Sequence, residues 1–168
     1  MSKLLIIIDI QKGFNCKELD SIINRFNNNH NKFDHVCFCM FENRKGSLFE
    51  KQLKWVGFQN QEDRKLIEKT KIPKNSYFIN HHNYTVYNAD MKKLINNLNP
   101  QQIYLAGIFS DVCLLKIAID MFDDGVIAYV IEDLSTSLHG LDAHKNAFYN
   151  MKLALGEDKI ISISDVKS

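Results

Sequence analysis

The sequence predicts an α/β fold: a parallel sheet with helices packed on both faces. Three observations carry that expectation. Apolar runs rich in Ile, Val and Leu recur along the chain and are continuous rather than alternating, as strands buried on both faces are. Stretches with helical 3, 4, 7 spacing separate them, and strand–helix alternation implies parallel pairing. Finally, Asp9 and His81 directly follow two expected strands and Cys113 lies in the turn after a third, at the rim where open α/β sheets place their sites.

The first run, Lys3-Leu4-Leu5-Ile6-Ile7-Ile8, reads as a central buried strand closed by Asp9-Ile10-Gln11-Lys12-Gly13-Phe14. Asp is common at strand exits, so Asp9 alone is a weak signal. Leu19, Ile22, Ile23 and Phe26 mark the first helix, which dissolves into a polar loop over residues 27–32. Residues 35–41 form the second strand. Cys37 and Cys39 share one of its faces and read as core packing, since a metal pair needs further ligands nearby. Residues 42–61 are irregular, with Asn43, Arg44, Phe49 and Trp55 among them. They are either a lid or pocket wall, or a surface excursion with a short helix over residues 48–55. Another short helix is expected over residues 62–69.

Residues 76–80 are the third strand, exiting into His81-His82-Asn83-Tyr84-Thr85-Val86-Tyr87, and residues 88–97 are a helix. Ile103-Tyr104-Leu105-Ala106 is the fourth strand. It turns through Gly107-Ile108-Phe109-Ser110-Asp111-Val112-Cys113 into a helix that Gly125 stops. In that turn Ser110 suits an N-cap, Asp111 the first helical turn and Cys113 about the third helical position. A thiol there faces unpaired backbone N–H groups and the positive end of the helix dipole, which lowers its pKa. A small buried cysteine with no chemistry is the commoner fate of such a residue. Residues 126–131 are the fifth strand and end at Glu132-Asp133. A helix over residues 142–155 shows Ala143, Ala147, Met151 and Ala154 on one side, and residues 160–163 are a short last strand.

A chain of 168 residues suffices for one domain, taken as residues 1–168. Net charge is +1, with no basic face or tail, so nucleic acid is not an expected partner. No apolar run spans a membrane, and no signal peptide is read. Cys16, Cys37, Cys39 and Cys113 form no CxxC pair, which suggests reduced thiols and a cytoplasmic location.

Taken together, the motifs resemble the isochorismatase-like cysteine hydrolase superfamily over nearly the whole chain. The segment from Leu5 through Asp9-Ile10-Gln11 to Phe14 is similar to the family's opening strand and catalytic aspartate. Gly107 to Cys113 is similar to its Gly-x-x-Thr-Asp-x-Cys nucleophile turn, with Ser110 for Thr. Tyr84-Thr85-Val86-Tyr87 resembles the Tyr-Ser-x-Phe segment, and Gly125, Glu132-Asp133 and His144 fall at matching positions.

The resemblance implies a three-layer α/β/α fold with a six-stranded parallel sheet in the order 3-2-1-4-5-6. It implies hydrolysis of an amide or related C–N bond in a small molecule, through a thioester on Cys113. Asp9 would accept the thiol proton and later help activate water. Backbone N–H groups of Phe109 and Cys113 would cradle the oxyanion, and a cis peptide is implied at Ile108-Phe109. A homodimer or larger homo-oligomer is also implied. The family's lysine falls at His81, which would be either a cation in its place or a base in a Cys-His-Asp arrangement. The nicotinamidase branch carries a histidine-containing metal site after the second strand. Residues 36–80 hold no histidine, so no metal and no cofactor are expected. Phe14, Phe41, Trp55, Tyr84 and Phe109 are the candidate substrate-pocket walls.

Two other functions compete. His81 motivates a binding or scaffold protein that kept the fold and lost turnover. A thiol redox protein is more remote, because Cys113 has no sequence-adjacent resolving cysteine.

Overall fold

The computed structural model describes residues 1–167. The order is β1 (Lys3–Ile8), α1 (Lys17–Asn29), β2 (His35–Phe41), α2 (Leu48–Lys51), α3 (Gln61–Arg64), β3 (Ser76–His81), α4 (Ala89–Leu98), β4 (Gln102–Gly107), α5 (Leu115–Asp123), β5 (Ala128–Ser135), α6 (Leu141–Leu155) and β6 (Ile160–Ile161). All strand pairs are parallel, and the sheet order is β3-β2-β1-β4-β5-β6. Helices flank the sheet, so the architecture is the three-layer α/β/α expected from the sequence.

The continuous apolar run of β1 is explained by its two buried faces. Leu4, Ile6 and Ile8 point into a core with Met91 of α4, Ile117 and Met121 of α5, and Met151 of α6. Leu5, Ile7 and Ile10 point the other way, onto Leu19, Ile22, Ile23 and Phe26 of α1. Cys37 and Cys39 are fully buried in the first of these cores, which is the packing role read for them.

The strand order runs outward in opposite directions from β1 and β4, and a crevice opens at that switch point. Ile8 is in register with Cys39 on one side and Gly107 on the other, and Phe41 is in register with His81, so the strand exits gather at one edge. Gly107 makes the approach possible. Its φ is +113°, and a Cβ there would lie 2.3 Å from the Ile8 carbonyl oxygen. Only glycine fits both demands.

Several local expectations are corrected. The turn after β4 is a single π-helical turn, Ser110–Leu114, before α5 begins. Ser110 is not its cap: Phe109 holds that place, and the buried Ser110 hydroxyl bonds His144 Nδ1 at 3.0 Å instead. Strand β5 runs on to Ser135, because Leu134 is fully buried and Ser135 pairs with Gly107 past a register shift. In α6 the core positions are Ala147, Phe148 and Met151, while Ala154 faces solvent. The aromatic ring of Phe148 takes the space that the alanine stripe left open. Helix α1 continues to Asn29, and a 3-10 turn over His30–Lys32 replaces the loose loop. The expected helix over residues 62–69 shrinks to Gln61–Arg64. Lys65 leaves in an extended conformation, and Leu66 bridges Gln11.

Candidate active site

Asp9 takes a left-handed conformation (φ 59°), which Asp tolerates better than most residues. The turn is held from both ends. Asp9 N–H donates to Cys39 O (3.1 Å), and Gln11 N–H donates to Asp9 O (2.8 Å). The Gln11 side chain, wholly buried, braces the same corner. Its amide nitrogen donates to Phe41 O (3.0 Å) and Arg64 O (2.9 Å), and its oxygen accepts from Phe41 N–H (2.7 Å). The β1 and β2 exits are thereby tied together, and α3 is tied to both.

Asp9 and Cys113 open onto one cavity of about 390 Å³. All five aromatic walls expected from the sequence line it: Phe14, Phe41, Trp55, Tyr84 and Phe109. They form a connected set. Phe14 meets Phe109 edge-on at 5.2 Å, Phe41 stacks on Trp55 at 5.8 Å, and Phe49 bridges Phe41 and Tyr84 at 5.1 and 5.0 Å. Residues 42–61 therefore build a wall, contributing Phe49, Leu53 and Trp55. Buried Asn43 anchors that segment by donating to Trp55 O and Gly57 O, both at 3.0 Å. Gly13 lets Phe58 close behind Phe14, since a Cβ there would meet the Phe58 ring at 2.6 Å.

His81 does not line the cavity. It lies behind Asp9, and both side chains are 1% exposed. Its Nε2 is 2.7 Å from Asp9 Oδ1 and its Nδ1 is 2.8 Å from Asn83 O. Both partners are acceptors, so an ionised Asp9 requires a proton on each ring nitrogen. Burial alone lowers the His81 pKa, but the charge and hydrogen bond of Asp9, with the Asn83 carbonyl, raise it above the ordinary 6.5. The ring fits an imidazolium, with neither nitrogen free to take a proton from sulfur.

The expectation of a lowered thiol pKa at Cys113 is overturned. Burial, and then the negative charge and hydrogen bond of Asp9, push it well above its usual value. The Phe109 backbone acts in the opposite direction but is outweighed. The thiol rests neutral with a carboxylate beside it. The Ile108-Phe109 peptide is cis, as the resemblance implied.

Sequence reasoning passed over Phe49, Leu53 and Val112 in the lining, and also His139. His139 Nδ1 lies 2.6 Å from Asp111 Oδ2, and its ring stands edge-on to Phe109 at 4.9 Å. The pattern offered one signal, a histidine beside Gly140 on a strand-to-helix loop of the same rim. Among the described residues, no group of three or more His, Cys, Asp or Glu side chains is placed to hold a metal ion. No helix there is long and apolar enough to cross a membrane.

The fold has close structural counterparts. An isochorismatase-like hydrolase from Alkaliphilus metalliredigens superposes with TM-score 0.85 at 13% identity, covering 98% of this chain and 96% of that one. An N-carbamoylsarcosine amidase from Thermoplasma acidophilum gives TM-score 0.82 at 13% identity, with 100% of both chains covered. A nicotinamidase from Bacillus subtilis gives 0.77 at 21% identity, over 93% of this chain and 97% of that one. At these identities the likeness concerns the fold. No curated protein gives a significant sequence match. The family model of the isochorismatase domain matches residues 3–160, nearly the whole length, and the chain belongs to that family.

Proposed function

We propose that this protein is a cysteine-dependent hydrolase of small-molecule amides or related C–N bonds, working through a thioester on Cys113. The observation that carries the reading is the placement of Cys113 and Asp9 on one aromatic cavity. A neutral thiol next to a carboxylate suits attack in which the proton leaves for Asp9 as the S–C bond forms. No free thiolate is needed. The N–H groups of Phe109 and Cys113 are the oxyanion donors in this scheme. His81 is a positioning residue: it pairs with Asp9 and keeps the carboxyl group aimed at the sulfur, the place a lysine takes in the family pattern. The base role for His81 is set aside, because acceptors occupy both ring nitrogens.

Neither lysine nor arginine lines the cavity, and its walls are aromatic. A flat or apolar acyl group with an uncharged scissile amide suits it. The activities named for the amidase neighbours agree with that chemistry. The test is a panel of amides, carbamates and ureas, with mass detection of released amine, on wild type and Cys113→Ala. Release by the wild type alone is the expected result. Equal release by both would end the thioester reading. The raised thiol is the one feature that favours a binding protein without turnover. Tight ligand binding by both proteins, with no amine from either, would establish that alternative.

A further inference from the structure

Two proton carriers line the cavity and face different sides: Asp9, backed by His81, and His139, backed by Asp111. Asp9 is sealed at 1% exposure, with His81 behind it and the Cys113 sulfur beside it. His139 stands on the solvent side, its side chain 56% exposed, and lines the same cavity. Asp111 accepts from Nδ1, which places that proton and leaves Nε2 as the free nitrogen. Burial raises the Asp111 pKa, but hydrogen bonds from Ser137 and His139 outweigh it, so the carboxylate stays ionised.

The ring is fixed relative to the nucleophile turn. Ser110 N–H donates to Thr136 O (2.9 Å), and Thr136 N–H donates to Gly107 O (3.2 Å). His139 N–H in turn donates to Ser137 Oγ (3.0 Å). The His–Asp pair and the π-helical turn that carries Cys113 therefore share one scaffold.

Resting on the cysteine-hydrolase reading above, we propose that His139, oriented by Asp111, is the base that activates the water of deacylation. In acylation, Asp9 takes the Cys113 proton as the S–C bond forms. It passes that proton to the leaving nitrogen as the C–N bond breaks, which leaves a thioester. Water then enters from the open side. Its oxygen bonds the carbonyl carbon while Nε2 of His139 takes one proton. The C–S bond breaks, the acid departs, and the thiolate recovers the proton from the His139 imidazolium. The sum is amide plus water giving acid plus amine, with no change of oxidation state. Each base works where its surroundings suit it: the dry one beside the sulfur, the wet one where water arrives.

The test uses p-nitrophenyl benzoate, a flat activated ester that acylates a thiol without needing a protonated leaving group. For His139→Gln, the expected result is a burst of about one nitrophenolate per Cys113. A steady rate lowered about 100-fold then follows. Intact-mass measurement should find a benzoyl adduct on Cys113, and Asp111→Asn should shift behaviour in the same direction. Hydroxylamine, which needs no base, should restore turnover to His139→Gln but not to Cys113→Ala. A steady rate within about 3-fold of wild type would overturn the assignment, since general-base loss costs far more. So would a burst and steady rate that fall together with no adduct, because that marks a structural role. If wild type and Cys113→Ala react alike, the cysteine-hydrolase reading itself falls, and this assignment with it.

Discussion

Removing His81 should cost more stability than any surface change, and the cost should depend on Asp9. In His81→Leu the ring is replaced by an apolar side chain of similar reach. Asp9 then loses its 2.7 Å partner at a place where both side chains are 1% exposed. Breaking one side of a buried charge pair costs about 3–5 kcal/mol. That is a large share of the roughly 5–15 kcal/mol that holds a domain together. For a chain of this size it corresponds to a fall of roughly 6–20 °C in Tm. Urea unfolding followed by far-UV circular dichroism measures it directly. Asp9→Asn and the double variant complete a cycle, and the coupling should be about 1–3 kcal/mol. His81→Leu within about 0.5 kcal/mol of wild type, or a cycle with no coupling, would refute the buried ion pair.

The same pair sets a pH dependence. His81 holds its proton in the fold to a pH above its ordinary 6.5, so its contribution is complete below about 6.5. It is lost as pH rises through the raised folded value. Activity should fall over that same alkaline interval, and His81→Lys should flatten the fall. Cys113 should be alkylated by iodoacetamide slowly at neutral pH and faster above pH 9, because its thiol is raised; a labelling rate already at its plateau at pH 6 would contradict this. Gln11→Leu strands the Phe41 N–H and the Phe41 and Arg64 carbonyls, at about 1–3 kcal/mol for each group left unsatisfied, which a urea titration would detect. Trp55→Ala should raise KM for flat substrates with much less effect on unfolding, since the ring walls the cavity; unchanged KM across the amide panel would remove it from the substrate site.

The strands were legible because burial on both faces writes an unbroken apolar run, as at Leu4–Ile8. That Asp9 and Cys113 would share one rim was legible from the strand exits; their chemical roles came only from the family resemblance. The five candidate aromatic walls do line the cavity, Trp55 among them although it comes from the irregular segment 42–61. What escaped depended on contacts distant in sequence. The thiol pKa was read from the helix terminus alone, whereas burial and Asp9, brought in by another strand, decide it. His139 gave little warning, because its partner Asp111 lies 28 residues away and only the fold joins them. The end of β5 was drawn early because Glu132 and Asp133 look like a strand exit. Asp133 in fact accepts from Ser162 Oγ (2.9 Å) and Ile163 N–H (2.8 Å) at the sheet's far edge.

The bracing of the rim separates two kinds of heredity. Gln11 and Gly107 brace the strand ends beside Asp9 and Cys113, one through its buried hydrogen bonds and the other through the close approach to Ile8. Phe49, Leu53 and Trp55 come from a single excursion that Asn43 pins at its base. Mutations in that excursion can resize the chamber while the reacting atoms stay in place. On the proposed hydrolase reading, a lineage built this way changes its substrate by altering the excursion while the braced rim stays as it is. A library confined to residues 48–55 is the place to redirect this protein's selectivity.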